Sequence, residues 1–391
     1  MNNFYVDLHI HIGRNKHQQP VKITASKNLT LTHLLEEASD RKGMDMIGVI
    51  DCHAPLVLEE LEEHIEKGSA IPLKDGGIRF RTTTLILGSE IEVYDDNCKG
   101  PIHVLCYFAT MEQMRIFSNW LKQRVTNIEL SSQRYYGTAH ELQIKVKELD
   151  GLFIPAHIFT PFKSLYGKGV EASLTEILLP ELIDAVELGL SSDTEMAEEI
   201  KELQSYTFVT NSDAHSIRKI AREYQSIAMN EATFSELKLA LQQKHNRQIT
   251  ANFGMNPKLG KYHTTVCENC LQPLSNHQGP CSFCGHAKTI KGVKDRITEL
   301  STSGEFTKRA RPPYVYQVPL DFVPGIGPKT LAKLLKAIGT EMEIIHHANE
   351  QDLIEIVGEK ITKSILALRN GTLEIQQGGG GKYGRVINPK A

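Results

Sequence analysis

The sequence predicts a large α/β domain followed by a small cysteine-bearing module and an all-α tail. Three observations predict it. Short β-rich runs alternate with amphipathic stretches up to about residue 246. Four cysteines form two close pairs between 262 and 294, and from Leu320 to about Leu373 the pattern is purely helical. Strands alternating with helices imply a mainly parallel sheet, open or closed into a barrel. The 391 residues suffice for one large domain and one or two small ones.

The expected strands are Tyr5–His9, Met46–Ile50, Leu85–Ile91, Ile102–Phe108, Leu152–Ala156, Ile183–Leu188, Phe208–Asn211 and Gln225–Met229, with helices over Thr30–Lys42, Met111–Leu130 and Ser173–Leu179. Loop sequence takes over at 252–262. Pro312, Pro313 and Pro319 mark 301–319 as a linker. The domains then read as 1–250 catalytic, 251–300 zinc-binding, 301–319 linker, 320–375 helical, and 376–391 a Gly-rich basic tail.

The charge is uneven. From Lys258 onward the chain carries a net +6, and the residues before it carry −9. An acidic body with a basic appendage suits a metal-loaded domain attached to a polyanion binder. No apolar run reaches membrane-spanning length, the N-terminus does not read as a signal peptide, and seven irregularly spaced cysteines are no disulfide framework. A cytoplasmic protein is expected, with no membrane partner.

Histidines and carboxylates recur at strand ends. His9 and His11 are two apart, as are Asp51 and His53, and Asp213 and His215; Glu90, His103 and His157 stand singly. Residues i and i+2 share a strand face, so each pair can aim both side chains at one place. A lone histidine of this kind is ordinarily a satisfied core residue. Three such pairs with three singles are better explained by metal, and imidazole with carboxylate suits Zn, Mn or Fe. Two or three ions would polarise a phosphate and acidify water.

The segments Asp7-Leu8-His9-Ile10-His11, Gly88-Ser89-Glu90, Pro155-Ala156-His157 and Ser212-Asp213-Ala214-His215 resemble the motifs of the PHP (polymerase and histidinol phosphatase) family. The resemblance covers about residues 1–250. It implies a distorted (β/α)7 barrel with a trinuclear centre in which His9, His11, Glu90 and Asp213 hold one ion. Glu90 would bridge to a second ion on His103 and His157, and His53 and His215 would hold a third. Many family members place another His or Asp shortly after the first motif, where this chain reads Gly13-Arg14-Asn15-Lys16-His17. Either His17 or Asp51 would complete the third site, or that ion is weakly held. Glu90, Asp213 and His215 are the expected catalytic residues, with Zn, Mn or Mg as the metal.

Cys267-x-x-Cys270 and Cys281-x-x-Cys284 are two knuckles ten residues apart. Four thiolates at this spacing surround one structural Zn and leave no open position. The neighbouring His263, His277 and His286 are expected to be solvent-exposed. Val323-Pro324-Gly325-Ile326-Gly327-Pro328-Lys329-Thr330, followed by Leu331-Ala332-Lys333, resembles the helix-hairpin-helix motif of DNA repair proteins. Gly325 and Gly327 would let backbone approach a phosphate, with Lys329, Thr330 and Lys333 beside it. A weaker copy spans 356–365.

The order of barrel, four-cysteine module and helix-hairpin-helix, with Leu188-Gly189-Leu190-Ser191-Ser192-Asp193 and Pro155-Ala156-His157-Ile158-Phe159-Thr160-Pro161, resembles the endonuclease Q family over the whole chain. That resemblance implies a DNA repair endonuclease acting at the nucleoid. It would cut single- or double-stranded DNA 5′ of hypoxanthine, uracil, xanthine and abasic sites, leaving a 3′-hydroxyl and a 5′-phosphate. Phe159, Phe162, Lys163 and Tyr166 are candidate walls of a pocket for a flipped base. Two rival readings are a phosphatase of a small phosphomonoester and a non-catalytic DNA-binding scaffold.

Overall fold

The computed structural model describes residues 1–260, 262–274, 279–301, 306–376 and 384–387. Ten strands build the catalytic unit: β1 (Asn2–Ile10), β2 (Met46–Val49), β3 (Thr83–Val93), β4 (Ile102–Phe108), β5 (Leu152–Pro155), β6 (Ala185–Glu187), β7 (Thr207–Val209), β8 (Tyr224–Met229), β9 (Gln248–Gly254) and β10 (Tyr314–Tyr316). β1, β2 and β3 run parallel, as do β6 and β7. β4 and β5 continue from β3 antiparallel, and β8 and β9 continue from β1 antiparallel. The sheet is therefore mixed, where alternation alone predicted a mainly parallel one.

Short backbone bridges close it into a distorted barrel. Asp184 N–H donates to Phe153 O (3.0 Å), joining the β6 side to β5. His11 N–H donates to Ala214 O (3.1 Å), joining the β7 side to β1. Alternate residues point inward, as pleating requires. Val6, Leu8, Ile86, Leu105, Tyr107, Leu152, Ile154, Ala185 and Val209 pack in one interior cluster. The opposite faces pack under helices α1 (Leu31–Glu36), α2 (Pro55–Glu66), α3 (Met111–Lys122) and α4 (Ala139–Glu148). Capping boxes at Thr110/Gln113 and Thr138/Glu141 satisfy the first N–H groups of α3 and α4. Helix α5 (Phe234–Leu241) covers β8 and β9.

Four expectations change. The helix begun at Met111 stops at Lys122, and Ser173–Leu179 holds one 3₁₀ turn, Leu174–Glu176. The loop expected from 252 is the end of β9, and the expected linker contains β10. β10 pairs in parallel with β9, a non-local partner that gives short aromatic Tyr314–Tyr316 a ladder its own sequence does not announce.

The cysteine module carries an antiparallel pair, Val266–Cys267 with Thr289–Ile290, and helix α6 (Val293–Leu300). The Arg296 guanidinium donates to the carbonyls of Tyr166 (2.8 Å), Val170 (3.1 Å) and Glu171 (2.7 Å), clamping α6 to the barrel. Helices α7 (Pro328–Ile338), α8 (Glu350–Val357) and α9 (Glu359–Arg369) form the tail around Leu331, Leu334, Leu353, Ile365 and Leu368. It docks through a buried Lys42–Glu341 pair (2.9 Å) and through His346, which stacks on Tyr5 (4.6 Å) and bonds Tyr224 Oη (2.7 Å).

Candidate metal centre

The strand order brings nearly all the expected ligands to one rim of the barrel. His9 and His11 leave the end of β1, Glu90 projects from β3, and His103 comes from β4. His157 follows β5, and Asp213 and His215 follow β7. His9 Nε2 lies 3.5 Å from both Glu90 Oε1 and Asp213 Oδ1; His11 Nε2 lies 3.6 Å from Glu90 Oε2 and from Asp213 Oδ1. Ligands about 2.1 Å from a tetrahedral ion are about 3.4 Å apart, so His9, His11 and Glu90 fit one ion, with Asp213 against both imidazoles. Glu90 Oε1 also lies 2.8 Å from His103 Nδ1 and 3.6 Å from His157 Nε2, a second cluster sharing the same carboxylate. Nε2 of His9 and of His11 are buried without a hydrogen-bond partner, as ligand atoms reserved for a cation would be.

Electrostatics agree. Burial alone would raise the Glu90 and Asp213 carboxyls. Facing His103 and Lys22, and His9 and His11 respectively, hold both well below the usual carboxylate range. Burial and the neighbouring His11 pull His215 down to about 4, which leaves its imidazole neutral and able to ligate.

A second layer fixes these ligands, and its main member went unrecognised in the sequence. Glu187, at the end of β6, sits against His9 Nδ1 (3.0 Å) and accepts from Asn211 Nδ2 (2.8 Å) and the His157 backbone N–H (2.8 Å). It therefore orients a ligand of each cluster. His157 and Asp213 both hold positive φ, 31° and 44°, a strained backbone that clusters at functional sites. Gly189 (φ 75°) permits the first, since a Cβ there would lie 2.6 Å from His157 Cβ.

The expected third set comes together in part: His215 gathers with His11 and Asp213, their ligand atoms within 4.8 Å of one another, and His53 does not join them. His53 spends both ring nitrogens on protein, Nδ1 on Ser89 Oγ (2.8 Å) and Nε2 on Leu130 O (3.3 Å). Asp51 turns to His11 Nδ1 (3.3 Å) and accepts from Ile12 N–H (2.6 Å), so it orients a ligand instead of being one. His17 is exposed on its loop. Lys22, a residue the spacing did not single out, places Nζ 3.0 Å from Glu90 Oε2.

The clusters open into a cleft of about 500 Å³ whose walls include Lys22, Phe162, Lys163 and Ile23. Phe162 and Ile23 are exposed there. Phe159 and Tyr166 are not walls: both are fully buried and stack on each other at 5.4 Å, because the loop after His157 folds its other aromatics into the core. Phe162 also meets Tyr262 of the cysteine module edge-on at 5.6 Å.

In that module the four thiols converge. Cys267 and Cys284 Sγ are 3.6 Å apart, as are Cys270 and Cys281, and no disulfide forms. Zn–S bonds of about 2.3 Å give a tetrahedral edge of about 3.8 Å, so one Zn fits. Contrary to expectation His263 is buried, and its carbonyl accepts from Lys294 N–H of α6 (3.0 Å); His286 is half-buried, and His277 lies outside the described residues.

In the tail, Gly325 (φ 92°) and Gly327 are exposed at the turn before α7; in its first turn Lys329 is exposed and Thr330 half-buried. The Lys333 ammonium folds back onto Ile356 O, tying the first hairpin to the second. The Gly378–Tyr383 run lies outside the described residues. No helix among them is long and apolar enough to cross a membrane.

The chain is 54% identical to the Bacillus subtilis protein YqxK over 386 residues, 99% of this chain and 100% of that protein. The crystal structure of the lesion-specific endonuclease PfuEndoQ from Pyrococcus furiosus superposes with a TM-score of 0.84. Its identity is 33%, over 100% of this chain and 96% of that one. A structure of endonuclease Q with a 27-mer duplex substrate, an abasic lesion at the active site, gives the same score and identity over 97% of its chain. A scan against protein-family models finds no match.

Proposed function

The chain belongs to the endonuclease Q family of lesion-specific, metal-dependent DNA endonucleases, and on that premise we propose that it nicks DNA 5′ of hypoxanthine, uracil, xanthine and abasic sites. The products would be a 3′-hydroxyl and a 5′-phosphate. One observation carries the reading: two ligand clusters share Glu90 at the floor of an open cleft, in a chain alike in fold to that family from end to end.

His9, His11, Glu90 and Asp213 would hold one ion, and Glu90, His103 and His157 a second. Such ions polarise a phosphate, acidify water and stabilise the leaving oxygen. The chain's own residues do the rest. Glu187 and Asp51 keep the His9 and His11 rings turned so that each Nε2 faces inward. Lys22 and Lys163, on the cleft wall, are placed to meet phosphate oxygens. Exposed Phe162 offers a ring for an extruded base or sugar, and unpairing is cheapest where a base is damaged. The hairpin turn at Gly325–Lys329 would grip backbone without reading sequence.

The test is a duplex bearing one hypoxanthine, beside an undamaged duplex and histidinol phosphate. A single nick just 5′ of hypoxanthine, with the other two intact, is the expected result. A pocket built for a keto edge also predicts discrimination against adenine in single strands, where unpairing costs nothing. Turnover of the phosphomonoester alone would replace this reading with a phosphatase.

A further inference from the structure

We propose that Ile23 is a wedge: its side chain enters the base stack of duplex DNA and holds open the gap left by the extruded lesion nucleotide. The wedge rests on the proposed action at an extruded base, and it is what makes duplex DNA a substrate.

Ile23 is 72% exposed, the most exposed large apolar side chain among the described residues. Single exposed apolar residues are common and by themselves need no explanation. This one lines the metal cleft, between Lys22 and Thr24.

It also stands on a fixed base. Ala25 N–H donates to Lys22 O (3.0 Å), closing a tight turn with Ile23 at its tip. Lys22 N–H donates to Ile12 O (2.9 Å), and Ser131 N–H donates to Val21 O (2.9 Å), which hold the chain entering the turn. Ser26 N–H donates to His215 O (2.8 Å), which holds the chain leaving it. The turn is thus tied to the segments that carry His11 and His215, so the Ile23 backbone keeps a set position relative to the ligand clusters.

Chemistry selects the occupant. An aliphatic side chain forms no hydrogen bond with a base edge, so it cannot read one. Branching at Cβ restricts χ1, and little rotamer freedom is lost on burial. Apolar side chains of this kind enter between base steps and part them. Lys22 and Lys163, lining the same cleft, favour a polyanion over an apolar peptide. Phe162 rises from the loop after β5, on the far side of the strand ring from the loop after β1 that carries Ile23. The two exposed apolar groups therefore take different parts, Phe162 beside the extruded base and Ile23 in the vacated stack.

The experiment compares wild type, Ile23→Ala and Ile23→Leu on one hypoxanthine-containing strand, alone and in duplex. Truncating so exposed a side chain opens no cavity, and the variants should melt with wild type. Ile23→Ala should lose about 30-fold in kcat/KM on duplex, as expected for an isoleucine buried only in the complex. On the single strand, where no stack has to be parted, it should stay within about threefold of wild type. Ile23→Leu should recover most of the loss, and a mismatch beside the lesion should restore Ile23→Ala. Equal losses on both substrates would overturn the proposal and make Ile23 a wall of the base pocket; no loss on duplex would also overturn it. A second readout needs no cutting. In metal-depleted buffer, a 2-aminopurine beside the lesion should brighten on binding wild type and much less on binding Ile23→Ala, and equal brightening would overturn the wedge. An Ile23-dependent rise in a chain inactive on every lesion would end the nicking reading and leave the wedge standing.

Discussion

Replacing Glu187 by Gln tests whether the second layer sets metal affinity. Two carboxylate oxygens meet three groups: His9 Nδ1 and Asn211 Nδ2 at Oε1, and the His157 backbone N–H at Oε2. A glutamine offers one oxygen and one NH₂. Whichever way it turns, one N–H faces another donor, and the negative charge that steadies the His9 ring is gone. Loss of such a partner costs about 10–100-fold in metal affinity, or about 1.4–2.7 kcal/mol. The assay is nicking of lesion duplex across a Mn titration. The half-saturating concentration should rise by that factor, and kcat at saturating Mn should return to within about threefold of wild type. A kcat that stays low at every concentration, with unchanged metal affinity, would refute the reasoning and make Glu187 a participant in proton transfer.

Cys267→Ser should lose one tightly held Zn and destabilise the 262–294 segment, because metal binding there is folding energy; unchanged zinc content would reject the assignment. Lys329→Ala should weaken damaged and undamaged duplex by similar factors and reduce the salt slope by about one, and a changed lesion preference at constant affinity would make the tail a reader. Glu223 is buried, with Oε1 accepting from Met255 N–H (2.8 Å) and Oε2 unpartnered, and burial pushes its carboxyl up to about 8. Because this pKa is raised on folding, the stability it confers is present below about 4.5 and is lost as pH rises toward 8. Glu223→Gln should thus gain stability over wild type progressively between pH 5 and pH 8, by at most about 5 kcal/mol in chemical denaturation. A gap that does not widen over that interval would place the residue in contact with water.

The chemistry-bearing pairs could be read from spacing alone. His9/His11 and Asp213/His215 stand two apart at strand ends, and the cysteines stand in two CxxC knuckles. Such spacings are local, and local geometry carries the side chains to one side without knowledge of the rest of the chain. The hairpin turn was legible for the same reason, since Gly325 and Gly327 bracket a tight approach. Tertiary structure alone decided the rest. Asp51/His53 has the same spacing as the other pairs, yet Ser89, Leu130 and Ile12 turn both residues away from the cleft. Glu187 and Lys22 are single residues with no periodic partner; they acquire roles only because β6 and the loop after β1 end beside Glu90 and His9. Strand direction and the capture of β10 by β9 are likewise set by partners far along the chain. Spacing reports what one strand or loop can do. Which neighbours consume a side chain's hydrogen bonds is settled only when distant segments pack.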